Sequence, residues 1–375
     1  MKTKWTPSEQ DMKLFKSLLM TCSPVAHEFE LQEMVKDFLK DILSYEQVST
    51  DSLGSVIGQI HPDSDFQILV TAHADEIGMQ VVSITAEGMI KFRKLGGIDV
   101  HSLYGHHVAI LTSDGSRIKG VVQRNPRLVN ESEQGYTIRT SELWIDVGAE
   151  SSEDLKGCIN PGDYISFEPD VVELLNGRIV SKGIDDKVGV FCVLKAAQLL
   201  MEAGVKIGVS FVTTVQEEIG QRGVMPIVNR VHPNLAFVID VDYAQDFSQG
   251  IGGVVLGRGT VLTMNADNNM KLSNLVRNVA DLSNISYQLS IGTSVSGCTD
   301  AETIQRAGLG VATLNVSIPC RGMHSHAEIC DIHDVISAVN LIVESIVQID
   351  RQQITDFSPS MDSVVIKEII ETEEK

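Results

Sequence analysis

The sequence predicts an α/β fold: a mostly parallel-sheet domain interrupted by a small inserted β-barrel-like domain. Short apolar runs, of the length of buried strands, alternate with amphipathic segments of helical period. Between about Ile77 and Pro169 this alternation gives way to short β-rich segments separated by Gly, Asp and Asn turns. A chain of 375 residues is also too long for one comfortable hydrophobic core. We therefore expect a discontinuous α/β domain over 1–76 and 170–375, with an inserted β domain over 77–169.

The helices of the α/β domain are predicted from capping residues and apolar periodicity. Thr6-Pro7-Ser8-Glu9 is a capping box with proline at the first helical position, and it opens an amphipathic segment through about Thr21. A second helix is expected over about 28–43. Three further helical patterns follow, over about 186–202, 270–283 and 300–307.

Four apolar runs are predicted to form buried strands, and polar residues follow each of them. The runs cover 66–72, 209–215, 235–239 and 311–318. The polar residues downstream of them include His73, Glu217, Glu218, Asp240 and His324. Because ligands bind beyond the carboxyl ends of the strands in open α/β sheets, we expect these side chains to converge. In the inserted domain, strands are expected over 88–94, 107–112 and 143–147.

The charge balance excludes some classes of partner. Thirty Lys and Arg against fifty Asp and Glu give a formal net charge of −20, which repels phosphate backbones and anionic lipid surfaces. We therefore expect no nucleic-acid partner. Since no apolar run is long enough to cross a membrane, we also expect no membrane association. The six cysteines contain no C-x-x-C pair, which favours reduced thiols, and the charged amino terminus without a following apolar stretch favours a cytoplasmic protein.

Five side chains are candidate metal ligands: His73, Asp185, Glu218, Asp240 and His324. Imidazole and carboxylate are common ligands of divalent metals in hydrolytic sites. The adjacent carboxylates Glu217 and Glu218, at the buried end of an apolar strand, repel each other, and a cation removes that conflict. Two divalent cations carry four positive charges, which three carboxylates and a bridging hydroxide would neutralise. The sequence therefore predicts a pair of metal ions.

The ligands can be divided between the two ions. One carboxylate must bridge them, and Asp185 suits that position, although an acidic residue there would also cap a helix. The expected ligand sets are His73 and Asp240 for one ion, and Glu218 and His324 for the other.

Two carboxylates near the ligands have other expected roles. Glu217 is left unligated near the shared water, and we expect it to be the general base. Asp75 follows His73 at a spacing that lets its carboxylate accept a hydrogen bond from the imidazole nitrogen that is not on the metal.

At these residues the sequence resembles metallopeptidase family forty-two, the glutamyl and deblocking aminopeptidases that form tetrahedral assemblies. The similarity covers nearly the whole chain. The matching segments are HADEIG from His73, GIDDKVG from Gly183, QEEIGQRG from Gln216, VIDVD from Val238, GCTDAETIQRAG from Gly297 and RGMHSHAE from Arg321.

The resemblance implies a catalytic α/β domain of zinc-peptidase type, interrupted by a β domain used in assembly. It implies the same five metal ligands, with proton transfer by Glu217 and support of the ligands by Asp75. Two divalent ions per subunit are expected, zinc or cobalt first and manganese as a further choice. The resemblance also implies a homo-oligomer, a tetrahedral dodecamer whose interior admits short peptides.

Three positions depart from the family pattern. Lys187 stands where the family commonly has Arg, His326 where it has Pro, and Asp242 where it has Thr. The ligand positions are intact, so these departures bear on specificity more than on activity. His326 could compete as a ligand, the alternative being a surface or pocket histidine. The histidines of the inserted domain are expected to be exposed or at an interface: His101, His106 and His107.

The expected activity is release of the amino-terminal residue from short peptides by a dinuclear metal-dependent aminopeptidase. The metal pair would activate water and polarise the scissile carbonyl, and Glu217 would move the proton. One alternative is a metal-dependent amidohydrolase that acts on N-acyl amino acids, which substrate profiling would separate. Another is a non-catalytic metal-binding assembly protein, and the intact Glu217 argues against it.

Overall fold

The computed structural model describes residues 4–125, 137–244, 253–291 and 298–358, so Gly297 of the GCTDAETIQRAG segment lies outside the described residues. The strands of the described chain are β1 (Val48–Thr50), β2 (Val56–Ile60), β3 (Gln67–His73), β4 (Gly78–Ile84), β5 (Ile90–Leu95), β6 (His107–Leu111), β7 (Arg117–Arg124), β8 (Leu143–Asp146), β9 (Tyr164–Phe167), β10 (Val171–Glu173), β11 (Arg178–Ser181), β12 (Gly208–Thr214), β13 (Leu235–Tyr243), β14 (Thr260–Thr263), β15 (Tyr287–Ser290), β16 (Ala312–Cys320) and β17 (Glu328–Asp331). They form an eight-stranded sheet in the order β1-β2-β12-β3-β13-β16-β14-β15, a closed barrel in the order β4-β5-β8-β7-β6-β9, and a three-stranded sheet in the order β10-β11-β17.

The four strands predicted from apolar runs form the parallel centre of the eight-stranded sheet. β12, β3, β13 and β16 pair in parallel, and the carboxyl ends of β3 and β12 lie side by side, with His73 opposite Thr214. β13 is longer than predicted because it pairs with β16 as far as Tyr243, which lies opposite Cys320. Asp240 therefore lies inside a strand and not beyond its end.

Helices cover both faces of this sheet. They are α1 (Glu9–Met20), α2 (Phe29–Ile42), α3 (Ile184–Ala203), α4 (Val224–Val231), α5 (Met270–Ser283), α6 (Asp300–Gln305) and α7 (Ile332–Gln352). Buried apolar side chains of α1, α2, α3, α5 and α7 pack with one face of the sheet. Those of α4 and α6 pack with the other face. This layering confirms the α/β class that the sequence predicts.

The first helix begins two residues later than predicted, with Ser8 as its N-cap in place of Thr6. The Ser8 hydroxyl accepts the Asp11 amide, and the Asp11 carboxylate accepts the Ser8 amide. This reciprocal pair satisfies two amides at the start of the helix, so Asp11 completes the capping box. Pro7 precedes the cap.

The barrel lies in the part of the chain predicted as the inserted β domain. Its strands run from Gly78 to Phe167 and enclose a separate cluster of buried apolar side chains, among them Met79, Ile110 and Ile165. The three predicted segments are found as β5, β6 and β8. The closed antiparallel barrel confirms the barrel-like prediction, while the division of the chain at 77 and 169 stays a prediction.

Helix α7 is the longest apolar helix of the described chain, and by length and composition it could cross a membrane. Most of its apolar window, 67%, is buried inside the protein. Its buried side chains, such as Val335, Ile342 and Ile346, pack in the same core as α3. We therefore interpret α7 as a core helix.

Candidate metal centre

The first group of ligand-type side chains joins β3, the start of α3 and β13. His73 ends β3, and its Nε2 lies 3.1 Å from Asp185 Oδ1 and 3.9 Å from Asp240 Oδ1. Asp185 lies in the first turn of α3 with non-helical angles, φ −78° and ψ 105°. One ligand atom from each residue lies within 4.8 Å of the other two, so this buried group could hold a metal ion.

The second group shares Asp185 and adds Glu218 and His324. His324 Nε2 lies 3.3 Å from Asp185 Oδ2 and 3.4 Å from Glu218 Oε1. Glu218 lies in the short helical turn that follows β12, and His324 lies in the loop between β16 and β17. Asp185 thus turns one carboxylate oxygen to each group. The structure brings all five side chains predicted as ligands together around it.

Asp75 supports the site, but not by the contact that the sequence suggests. His73 Nδ1 lies 2.9 Å from the main-chain oxygen of Asp75 and 3.6 Å from its Oδ1, so the imidazole donates to the carbonyl oxygen. The fully buried Asp75 carboxylate instead accepts the amides of Glu217, at 2.9 Å, and Glu218, at 3.1 Å. With Nδ1 bonded to that carbonyl oxygen, Nε2 is the nitrogen of His73 that is turned toward Asp185 and would bind a metal ion.

Glu217 is the carboxylate that belongs to neither group. It lies in the same turn as Glu218 and is 9% exposed. Gln216, the residue before it, has a left-handed backbone with φ +58°, and this conformation turns the chain at the end of β12. Its amide donates to the Asp75 carboxylate at 2.9 Å, as the amide of Glu218 does at 3.1 Å, so Glu217 lies next to a candidate ligand of the second group.

Burial and mutual repulsion shift the pKa values of these groups. Burial, with repulsion from Asp185, raises the pKa of Asp240 to about 8, and burial raises the pKa of Glu217 well above its usual range. The adjacent carboxylates of Asp185 and Glu218 raise the pKa of His324 to about 11. Burial opposes the change at Asp185, but hydrogen bonds from His324 and His73 lower the pKa of that carboxyl. The cluster therefore stabilises positive charge. Divalent cations would supply more positive charge than bound protons do.

The donor set fits divalent metal ions. Two imidazole nitrogens and three carboxylates are ligands that zinc, cobalt and manganese accept. Within the described chain, Glu218 Oε1 is buried and accepts no hydrogen bond of normal geometry. A buried carboxylate oxygen without a donor is costly, and a cation would satisfy it. The side chains present are thus sufficient for one ion in each group.

The barrel closes one side of the site at Gly96 and Gly97, in the turn after β5. A Cβ on Gly97 would lie 2.7 Å from His324 Nδ1. A Cβ on Gly96 would lie 3.3 Å from Glu218 Oε2. Glycine lets the backbone approach a neighbouring group this closely. The barrel therefore contacts both ligands that are specific to the second group.

Lys187, the first departure from the family pattern, lies in a buried ion-pair cluster beside α3. Its Nζ donates to Glu76 Oε2 at 2.7 Å, and Lys182 Nζ donates to Glu76 Oε1 at 2.6 Å. Both ammonium groups also donate to the main-chain oxygen of Thr21. Burial, with repulsion from Lys182, lowers the pKa of Lys187 to about 7. Lys187 thus supports the packing of α3 and does not face the ligand groups.

His326 and Asp242 are the other two departures. The ring of His326 stacks on that of His106 from the barrel, with centroids 3.4 Å apart, and belongs to neither metal group of the described chain. His326 is exposed, so the structure favours a surface histidine over a competing ligand. Asp242 lies two residues beyond Asp240 on the same face of β13, and burial raises the pKa of its carboxyl.

Glu328 and the Gly96-Gly97 turn were not predicted as parts of the site. Glu328 accepts the amides of Asp185 and His324. The RGMHSHAE segment contains this glutamate, and a carboxylate at the start of an apolar strand is a weak signal of a buried role. Its contact with Asp185, 143 residues away, has no local signature.

Comparisons with known proteins show the family and the fold of the chain. The family described as M42 glutamyl aminopeptidase matches residues 54–341. The lysyl aminopeptidase of Pyrococcus furiosus is 30% identical over 336 residues, which are 88% of this chain and 95% of that protein. An aminopeptidase structure from the archaeon Desulfurococcus kamchatkensis has a TM-score of 0.86 and 30% identity, covering 94% of this chain and 98% of its own. The Pyrococcus horikoshii TET1 peptidase, which can assemble into a tetrahedron or a large octahedral shell, has a TM-score of 0.79 and 29% identity over 89% of this chain and 98% of its own.

Proposed function

Because the chain belongs to the M42 glutamyl aminopeptidase family and is an aminopeptidase, we propose that it is a dinuclear metal-dependent enzyme that releases the amino-terminal residue of short peptides. The main support for this proposal is the position of Asp185. Its Oδ1 lies 3.1 Å from His73 Nε2, and its Oδ2 lies 3.3 Å from His324 Nε2. A carboxylate that offers one oxygen to each of two ligand groups suits a bridge between ions about 3.5 to 4 Å apart.

The remaining ligands divide between the two ions. His73 and Asp240 would complete the first ion, and Glu218 and His324 would complete the second. Zinc or cobalt is the first choice and manganese a further one, because imidazole and carboxylate ligands suit all three. When bound, such a pair lowers the pKa of a shared water toward about 7 and polarises the scissile carbonyl.

Glu217 is the proposed general base. Its carboxylate takes the proton of the attacking water and returns it to the leaving amine, so one group serves both halves of the reaction. Burial raises the pKa of its carboxyl above the ordinary value, which is the direction that favours proton transfer by a carboxylate at neutral pH. Asp75 accepts the amides of both Glu217 and Glu218, so the base and the adjacent ligand keep a fixed spacing.

The testing experiment uses purified protein, stripped of metal and reloaded with zinc, cobalt or manganese. Each form is assayed on a panel of aminoacyl and N-acyl amino acid substrates. The proposal predicts two ions per chain and turnover of substrates with a free amino terminus. Glu217→Gln should bind both ions and lose about 10²- to 10⁴-fold in rate. Glu153→Gln, at a surface residue 76% exposed, is the matched control and should keep full activity.

The same panel separates the alternatives. Preferred cleavage of N-acyl amino acids would identify a metal-dependent amidohydrolase, since the same two-metal chemistry serves either amide. Metal binding without turnover of any substrate would contradict the proposed dinuclear mechanism. Full activity of Glu217→Gln would show that another group transfers the proton.

We also propose that the chain forms a homo-oligomer, and that residues 77–169 serve its assembly. The likeness to the TET1 peptidase of Pyrococcus horikoshii, which can form a tetrahedron, and to a TET1 structure described as a dodecamer supports a tetrahedral dodecamer. A closed shell would restrict the substrates to short peptides. Light scattering should give the mass of twelve chains, and a monomeric mass would contradict the proposal. The cytoplasmic location expected from the sequence stays a prediction.

A further inference from the structure

Glu328 links the backbones of two ligand positions. It opens β17, and it is 1% exposed. Its Oε2 accepts the amide of Asp185 at 3.0 Å, and its Oε1 accepts the amide of His324 at 2.7 Å. We propose that Glu328 is a positioning residue that sets the distance between Asp185 and His324, and with it the affinity of the second metal ion. The inference rests on the proposed function of these two residues as metal ligands.

Both backbones that Glu328 holds are irregular. His324 has a left-handed backbone with φ +63°, which is unfavourable for a residue other than glycine. Its loop is closed at the base by the paired hydrogen bonds of Arg321 and Ile329, at 3.0 and 2.9 Å. Asp185 has non-helical angles at the start of α3. A left-handed conformation at a residue other than glycine persists only when its surroundings hold it, so the bond to Glu328 supports His324. The second bond ties the backbone of Asp185 to the same carboxylate.

The chemistry of the two oxygens makes the role of Glu328 specific. A carboxylate offers an acceptor on each oxygen, whereas an amide offers one acceptor oxygen and one donor nitrogen. Two amide donors face Glu328, so glutamine at this position can accept only one of them. The other buried amide would meet an NH₂ group and lose its partner. Glu328→Gln therefore changes the positioning while it nearly preserves the volume.

The other ligands have separate supports. The His73 amide donates to Asp186 Oδ2 at 3.3 Å, and the Glu218 amide donates to Asp75 Oδ2 at 3.1 Å. Loss of the Glu328 contacts should therefore act unequally on the two ions. The ion held by His324 should be weakened more than the ion held by His73.

Glu28 provides a matched control for this substitution. It is 5% exposed, and it also accepts two amides, those of Ala26 at 2.7 Å and Gln216 at 3.2 Å. Both bonds reach the same oxygen, Oε1, so the single acceptor oxygen of glutamine can keep both. Glu28→Gln thus removes a buried carboxylate charge without removing an acceptor.

The experiment titrates the metal-free full chain with zinc, calorimetrically and against a competing chelator. The wild type should bind two ions. Glu328→Gln should bind one of them about 10- to 100-fold more weakly, and excess zinc should restore its activity. Glu28→Gln should bind both with wild-type affinity. If Glu328→Gln does not fold, Glu328→Asp replaces it, because the shorter side chain cannot reach both amides and should give the same weakening.

Two results separate failure of the inference from failure of the proposed function. If the wild type binds two ions and Glu328→Gln binds both as tightly, Glu328 does not position the ligands. Equal weakening by Glu328→Gln and Glu28→Gln would also overturn the inference, because it would show a general effect of buried charge. A wild type that binds fewer than two ions would instead refute the dinuclear site itself.

Discussion

Replacing Gly97 with alanine should weaken metal binding at His324 although it changes no ligand. The added Cβ would lie 2.7 Å from Nδ1 and 3.1 Å from Cε1 of the His324 ring. The backbone of Gly97 lies outside the left-handed region, so alanine can adopt it. The effect of the substitution is therefore steric. It tests directly whether the barrel presses against the second group of ligands.

The size of the effect follows from the clash. To restore ordinary van der Waals contact at 3.4 Å, the ring must retreat by about 0.7 Å from its present 2.7 Å approach. Metal–ligand distances tolerate only about 0.2 Å, so the displacement is several times too large. We expect the affinity for one ion to fall about 10- to 100-fold, as it does when the support of a ligand is removed. A misplacement of this size should lower kcat/KM by up to about 10²-fold.

The assay is zinc titration of the metal-free variant, together with kcat/KM on an aminoacyl p-nitroanilide. Gly105→Ala is the control, because Gly105 lies in the same barrel with φ +83° and a Cβ added there would meet no atom within 4 Å. Alanine there strains the backbone without touching the site. If Gly97→Ala binds both ions with wild-type affinity and keeps full activity, the proposed contact between the barrel and His324 is wrong.

Three further predictions test other parts of the structure. Asp75→Asn keeps only one acceptor oxygen for the two amides of Glu217 and Glu218, so kcat should fall about tenfold in steady-state kinetics. An unchanged kcat would show that the Asp75 carboxylate does not hold these two residues in place. The pKa of Lys187 is lowered from 10.5 to about 7 in the folded chain. The unfolded chain binds that proton more tightly, so the free energy of unfolding should rise between about pH 7 and 10. The rise should be steeper in the wild type than in Lys187→Met. If urea denaturation gives both proteins the same dependence of this free energy on pH, the prediction is wrong. His326→Ala should still bind two ions by elemental analysis, because His326 stacks on the barrel, and loss of an ion would identify His326 as a ligand.

The sheet centre and the convergence of the candidate ligands were predictable because each depends on a local pattern. A buried parallel strand needs an unbroken apolar run, and four such runs form β3, β12, β13 and β16. His73 follows its run directly and Glu218 stands three residues beyond its own, so their convergence follows from the parallel pairing of β3 and β12. The amino-terminal helix was misplaced by two residues because Thr6 and Ser8 both suit an N-cap, and only the Asp11 contact selects Ser8.

The supports of the ligands were not predictable, because they depend on contacts between distant segments. Nothing near Glu328 in the sequence shows that its carboxylate reaches the amide of Asp185. The Asp75 carboxylate was assigned to the His73 ring, but the main-chain oxygen of Asp75 makes that contact. Gly97 has the sequence context of an ordinary turn, and its closeness to His324 appears only when the barrel is packed on the sheet.

The dinuclear site is tested most directly by anomalous diffraction from crystals of the full chain loaded with zinc. We predict two peaks, one on each side of Asp185, with one about 2.1 Å from His73 Nε2 and the other about 2.1 Å from His324 Nε2. A single peak, or peaks away from these side chains at saturating zinc, would contradict the assignment of a metal pair to this site.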